Sequence, residues 1–320
     1  MRSRALALLA ASAVAALALT SCASQASGGA AAAETVSLKT PTGVTIEMPK
    51  EPKAALGFYT TDLDILMTLG FHLADTQPVR EDFKTFPAYF PQEPLKGLKT
   101  FVNFPEYNFE GVLAVNPDFI LNGIGSNTDL DPKLQKIAPT YTYNAFAGND
   151  WRDPFKQLAT DLGRTDEYNK WTADYQAKVA DVRKRLDERG IHPVVADMAF
   201  RDGQVSVGCY GVPCLVFGDL GLTITPLANA DAKGLPVGDS TAFSLEQLGG
   251  LEGIDAVFAG TNEDGSGLLT TDEALKSNAI WNRLPFVTNN TVYGYNYEMA
   301  YGSPSGQTAF LEVVEKALLG

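Results

Sequence analysis

The chain has 320 residues, 45% of them hydrophobic, and its 38 Asp+Glu against 25 Lys+Arg give a formal net charge of -13. That acidity, with no basic run and no interleaving of basic and aromatic residues, argues against nucleic acid as a partner, while a few converging Arg or Lys can still serve a small anion. The length suffices for one large domain or two of ordinary size.

The N-terminus reads as an export signal. Arg2 and Arg4 precede an apolar run over residues 5–19, and Leu19-Thr20-Ser21-Cys22 follows at once. That ending resembles a bacterial lipobox, which implies that residues 1–21 are removed and that Cys22 becomes an acylated N-terminus; cleavage elsewhere is the weaker reading. The run is too short for a membrane span. Losing Arg2 and Arg4, and no acids, takes the formal charge from -13 to -15. Residues 22–34, rich in Ser, Gly and Ala, read as a flexible tether, so the expected location is the outer face of the cytoplasmic membrane.

Alternation over 35–48 predicts a hairpin turning at 41–43. A short buried strand at 54–57 and a helix at 62–69, stopped by Gly70, follow. The proline- and aromatic-rich stretch 77–94 reads as a long irregular loop. In NFEGVLAVNPDFILNG, Asn108 caps a helix to Val115, Asn116-Pro117 breaks it, and 118–121 is a buried strand before a Gly-Ile-Gly turn. A helix at 132–137, a strand at 140–143 and a helix at 153–162 complete a first α/β half, residues 35–164.

Residues 165–190 carry Tyr168, Trp171, Tyr175, Val179, Val182 and Leu186 at helical spacing, with Thr165 as the expected cap and Gly190 as the stop. About 25 residues at roughly 1.5 Å each make a strut between two lobes rather than a local connection. Beyond it, 191–320 repeats the alternation: strands at 194–198 and 204–209, a helix at 215–220, a strand at 255–258, a helix at 272–283, a strand at 291–295 and a last helix at 305–319. SLEQLGGLEGIDAVFAG echoes the earlier segment, Ser244 standing for Asn108, Glu246 for Glu110 and Asp255 for Asp118, with a capped short helix expected in each. Cys209 and Cys214, bent together by Gly211 and Pro213, read either as a local disulfide or as two buried thiols.

The fold class is therefore α/β: two α/β lobes joined by a single long helix, with a ligand cleft between the lobes at the carboxyl ends of the strands. Loops at 58–61, 78–87, 102–107, 123–127 and 143–151 from the first lobe, and 199–201, 210, 236–240, 261–266 and 295–303 from the second, are placed to line it. They put Tyr59, Arg80, Tyr107, Trp151, Arg201, Tyr210 and Tyr301 among the candidate ligand contacts, with Lys99 nearby. Trp281 reads as a packing residue.

The lipobox, the two halves, the long helix, the pair NFEGVLAVNPDFIL and SLEQLGGLEGIDAVFA, LQKIAPTY at 134–141 and IWNRLPFVTNNTVYGY at 280–295 together resemble the iron-siderophore binding proteins of ABC importers. The resemblance implies a monomeric, lipid-anchored protein that captures a ferric siderophore and hands it to a permease and its ATPase, moving little as it binds. It implies permease docking through Glu110 and Glu246, a ligand-contacting aromatic at Tyr301 and a basic contact at Lys99. The iron would arrive already chelated, so no cofactor and no metal ligands are expected.

Other readings fit less well. His72 and His192 are isolated and read as structural. No Gly-x-Ser-x-Gly elbow, Cys-His pair or complete dinucleotide fingerprint is present, so the chain does not read as an enzyme. The scarcity of loop cations favours a near-neutral hydroxamate chelate over a highly charged catecholate. Cobalamin or haem on the same fold, or a non-transport sensor or scaffold lipoprotein, are the alternatives.

Overall fold

The computed structural model describes residues 34–145 and 150–320; the expected leader, Cys22, nearly all of the tether and part of the 143–151 loop lie outside them. The alternating segment forms β1 (Thr35–Lys39) and β2 (Thr45–Pro49), an antiparallel pair that buries Ile46 and Met48, with Gly43 turning the chain at φ +86°. There follow β3 (Ala55–Gly57), α1 (Thr60–Thr68), β4 (Thr76–Arg80), α2 (Gln92–Leu95), β5 (Lys99–Phe104), α3 (Phe109–Val115), β6 (Phe119–Asn122), α4 (Asp131–Leu134), β7 (Thr140–Thr142) and α5 (Arg152–Asp161). β3, β6 and β7 form a parallel sheet in that order, and β4 pairs in parallel with β5.

The stretch expected to be irregular from residue 77 thus opens with a strand, and the 102–107 loop with another. Pro78 has no N–H to give to a ladder. A buried side chain makes the link to β3 instead: Gln77 Oε1 accepts Gly57 N–H at 3.1 Å, and its Nε2 donates to Ala55 C=O at 2.8 Å and Ala74 C=O at 3.2 Å. Such tertiary pairing leaves no periodic trace in the chain.

The long helix is α6 (Thr165–Arg189), 25 residues burying Tyr175, Val179, Val182 and Leu186 and stopped by Gly190 at φ +66°. Its cap position is Arg164 rather than Thr165, and no side chain caps it. The turn out of α5 explains the shift: Gly163 adopts φ +67° and Arg164 N–H bonds back to Ala159 C=O at 2.7 Å, so the helix starts one residue early. Arg164 reaches Glu51 at 2.7 Å and lies over the Phe71 ring at 4.9 Å.

The second half contains β8 (Val194–Arg201), β9 (Gln204–Gly208), α7 (Val212–Leu220), β10 (Thr223–Ile224), β11 (Thr241–Ser244), β12 (Ala256–Thr261), α8 (Glu273–Lys276), α9 (Pro285–Thr288), β13 (Val292–Asn296) and α10 (Pro304–Leu319). The sheet order is β11-β9-β8-β12-β13, with β10 also alongside β8. β8, β12 and β13 are parallel, while β8-β9 is a hairpin turning at Asp202 and Gly203, both at positive φ. α7 begins earlier than expected because Pro213 suits a first helical turn. Cys209 and Cys214 are joined in a disulfide, Cα to Cα 5.3 Å.

Two expected helices are not formed as such. Ser244 ends β11, and residues 245–252 form a turn and a 3₁₀ segment at Leu248–Leu251, since Gly249, Gly250 and Gly253 make a regular helix costly. The expected 272–283 helix stops after α8, because Asn278 Oδ1 accepts the Ile280 and Trp281 N–H groups at 2.8 and 3.0 Å and starts a separate turn. The echo between the halves survives where the strands start. Asp118 accepts the N–H groups of Lys53 and Ala54 at 2.7 and 2.9 Å, and Asp255 accepts that of Val194 at 2.8 Å, so each acid ties the head of one strand to its neighbour.

Candidate functional site

β4 and β5 run parallel, and their ends and the end of β3 deliver three residues to one edge. Tyr59 caps α1 just beyond β3, Arg80 ends β4, and Phe104 ends β5 as the partner of Arg80. Opposite them, β13 leads into a 3₁₀ turn, Tyr297–Tyr301, whose start is fixed by Asn296 Oδ1 accepting Glu298 N–H at 2.9 Å. Both halves thus meet at the carboxyl ends of parallel strands, where α/β sheets present their ligand sites.

Arg80 is at the centre. Its Nε and Nη2 donate to the two Asp82 oxygens at 3.0 and 3.1 Å; its Nη1 donates to Tyr59 Oη at 2.5 Å and lies 3.5 Å from Glu298 Oε2. Tyr59 in turn donates to Glu298 Oε1 at 2.7 Å, and Tyr297 donates to Asp82. Around the guanidinium stand the rings of Phe104, Tyr297, Phe83 and Tyr59, with centroids at 4.5, 5.3, 5.5 and 6.0 Å. The Arg80 side chain is 11% exposed and that of Glu298 fully buried.

Burial raises Glu298 to about 7, against the opposing pull of the Arg80 charge and the Tyr59 bond. Burial also works to raise Asp82, but the Arg80 and Tyr297 bonds outweigh it and hold the acid below its usual range. Burial and the Glu298 charge push the Tyr59 phenol well up, so it is a neutral donor. Tyr301 is 39% exposed, raised by burial and by Glu298, and within electrostatic reach of both Arg80 and Arg201.

Of the expected contacts, Tyr59, Arg80 and Tyr301 come together here, and Tyr107 joins at the edge through Phe104, ring centroids 6.4 Å apart. Arg201 ends β8 and forms no ion pair among the described residues, and Tyr210 is 53% exposed beyond β9. Lys99 is not brought to the site: it starts β5 beside Thr76, at the opposite end from Arg80, roughly 16 Å away at about 3.3 Å per residue. Trp151 is a packing residue, its indole N–H donating to Gln307 at 2.7 Å and its ring against Phe155 and Trp171 at 5.5 Å each. Asp82, Phe83, Phe104, Tyr297 and Glu298 are not singled out by sequence, although the loops that carry them are. Recesses of about 570 Å³ around Phe86, Leu95 and Thr100, and of about 360 Å³ around Phe109, Leu113 and Lys136, share no residue with this cluster.

An α/β protein whose site of aromatic rings around an ion-paired cation is assembled from strand ends of two lobes belongs among the solute-binding proteins, which hold a ligand without transforming it. The model of the periplasmic binding protein family matches residues 79–298, and the chain belongs to that family. It is 28% identical over 266 residues to the iron(3+)-hydroxamate-binding protein FhuD of Bacillus subtilis, covering 82% of this chain and 79% of that one. The probable siderophore-binding lipoprotein YfiY of the same organism is 25% identical over 174 residues, 53% of this chain and 51% of that one. Among solved structures, a FhuD fold-family component of a Fep/Fec-like ferrichrome ABC transporter from B. subtilis superposes with a TM-score of 0.66 at 25% identity, covering 84% of this chain and 97% of that one. The chain shares that structure's α/β fold, its two lobes joined by α6.

Proposed function

We propose that this protein is the substrate-binding lipoprotein of an ABC importer, capturing a ferric siderophore between lobes at 35–164 and 191–320 and delivering it to a permease and its ATPase. The observation that carries the reading is the cluster at the strand ends: rings from both halves, Phe104, Tyr107, Tyr297 and Tyr301, with Arg80 and Arg201 as the nearby cations. A bulky chelate of low charge suits such walls, and the hydroxamate-binding relative points the same way. Anchoring through an acylated Cys22 and a monomeric body complete the proposal.

Glu110 and Glu246 are proposed as the docking residues. Both are exposed, Glu110 in the first turn of α3 and Glu246 just beyond β11, where the Ser244 hydroxyl donates to it at 2.7 Å and holds its pKa below the usual range. Exposed carboxylates on separate lobes can meet permease arginines and set register. The test is tryptophan fluorescence of the tether-free body titrated with ferric hydroxamates, ferric catecholates, haem and cobalamin. Trp151 reports on the site because it packs against Gly302, next to Tyr301. Saturable quenching by a ferric chelate, absent with its iron-free form, is the expected result; silence with every ligand refutes the reading.

A further inference from the structure

Arg80 has few donors left for a ligand. Asp82 occupies Nε and Nη2, Tyr59 occupies Nη1, and Glu298 Oε2 lies 3.5 Å from the same nitrogen. Two carboxylates therefore face one cation. Asp82 is held ionised by its bonds, and Glu298, raised by burial to about 7, is partly charged in neutral solution. Glu263 adds a further acid at the same junction, bonded to Asn296 and to Ala88 N–H at 3.3 Å. The phenols of Tyr59, Tyr297 and Tyr301 are all raised and neutral. The group at the heart of the site thus carries no positive charge to spare, and Arg201 stands outside the network.

We propose that Asp82 and Glu298 are specificity-determining residues, and that by keeping Arg80 paired they make the site select ferric chelates without net negative charge, neutral or cationic. An anionic chelate can reach the guanidinium only by displacing one of the two acids: Glu298, fully buried, would be stranded without its partner, and Asp82, 47% exposed, would lose its two bonds and repel the ligand. A neutral trihydroxamate has no such need and packs on the rings; a chelate carrying a pendant ammonium gains from the excess of acids. The inference rests on the siderophore reading above.

The test separates the two. Ferric complexes of desferrioxamine B, of its N-acetyl and of its N-succinyl derivative share one iron centre and differ at a remote amine, giving charges of about +1, 0 and -1 at pH 8. Ferrichrome and a ferric tricatecholate complete the panel, read by tryptophan quenching of the tether-free body. Expected are the cationic and neutral forms binding within about threefold of each other and the succinylated form about tenfold or more weaker. The double variant Asp82→Asn, Glu298→Gln should shrink that gap to under about threefold by strengthening the anionic form. Circular dichroism checks that the variant folds, and the wild-type charge series decides alone if it does not. Equal or tighter binding of the succinylated chelate, or binding of the tricatecholate alone, overturns the inference and leaves the siderophore reading standing. Silence across the panel overturns both.

Discussion

Gln77 offers the sharpest test of how the site is held. Replacing it by Met keeps length and flexibility but removes the amide that links β3 to β4. Gly57 N–H then loses the partner at 3.1 Å and Ala74 C=O the one at 3.2 Å, while Ala55 C=O keeps a second bond from Ala74 N–H at 2.9 Å. Two buried backbone groups are orphaned at about 1–3 kcal/mol each, and the more apolar side chain offsets roughly 1 kcal/mol. The net expectation is about 1–5 kcal/mol of lost stability, centred near 3. Urea denaturation reads it as a midpoint lowered by about 1 M at unchanged slope, for a slope near 2–3 kcal/mol/M. Arg80 lies three residues along the same strand, so the folded variant should also bind ligand more weakly. A loss below about 0.5 kcal/mol would show that the amide bridge does not hold β4, and with it the account of why a proline-bearing strand forms.

Gly302 has φ +91°, and a Cβ there would fall 2.4 Å from Trp151 Cγ, so Gly302→Ala should cost about 2–4 kcal/mol and shift tryptophan emission, seen in a thermal melt with a fluorescence readout. Asp64, fully buried on α1, accepts the N–H and hydroxyl of Ser305 at 2.7 and 2.6 Å at the start of α10. Asp64→Ala should cost about 2–4 kcal/mol and speed hydrogen exchange in the first turn of α10 more than in its last. Asp62 and Asp197 are both raised by burial to about 7, from 3.8, against the hydrogen bonds that favour their charged forms. Raised acids favour the fold when protonated, so their contribution is full below about pH 4 and is lost as pH rises through about 7. Between pH 5 and pH 8 each should withdraw about 2–3 kcal/mol, and urea titrations showing no fall over that window would refute the burial argument.

What could be read from the chain followed the range of the interactions. The face of α6, the Asn108 cap and the aspartates heading β6 and β12 depend on near neighbours, and they lie where local pattern puts them. β4, β5 and β11 owe their existence to partners distant in sequence, and Pro78 actively argues against the first of them. Lys99 shows a second limit: being near a cleft loop in sequence does not say which end of a strand a side chain occupies. Trp151 shows a third, since an aromatic in a loop reads equally as ligand wall or as packing until its indole partner, Gln307, is known. Glu298 carries no local signal at all. A buried acid inside Tyr-Glu-Met has meaning only once Arg80 and Tyr59, far back in the chain, are placed against it.

The same contacts bear on how the protein works. Tyr59 to Glu298, Tyr297 to Asp82, Ser305 to Asp64, Trp151 to Gln307 and Ala88 to Glu263 all run between the first half and the second. Tyr59–Glu298 and Trp151–Gln307 are buried and Ser305–Asp64 partly so, and breaking these three, at about 1–3 kcal/mol each, would absorb a large share of the roughly 8 kcal/mol that micromolar binding provides. Wide opening and closing is therefore costly, and α6, 25 residues long and packed along one face, stiffens the link further. A body that scarcely moves cannot signal its load by changing the distance between Glu110 and Glu246. If those residues dock as proposed, they set register alike for empty and loaded protein, and the permease must sense the loaded state at the site itself. There the chelate would be presented beside the exposed rings of Tyr210 and Tyr301.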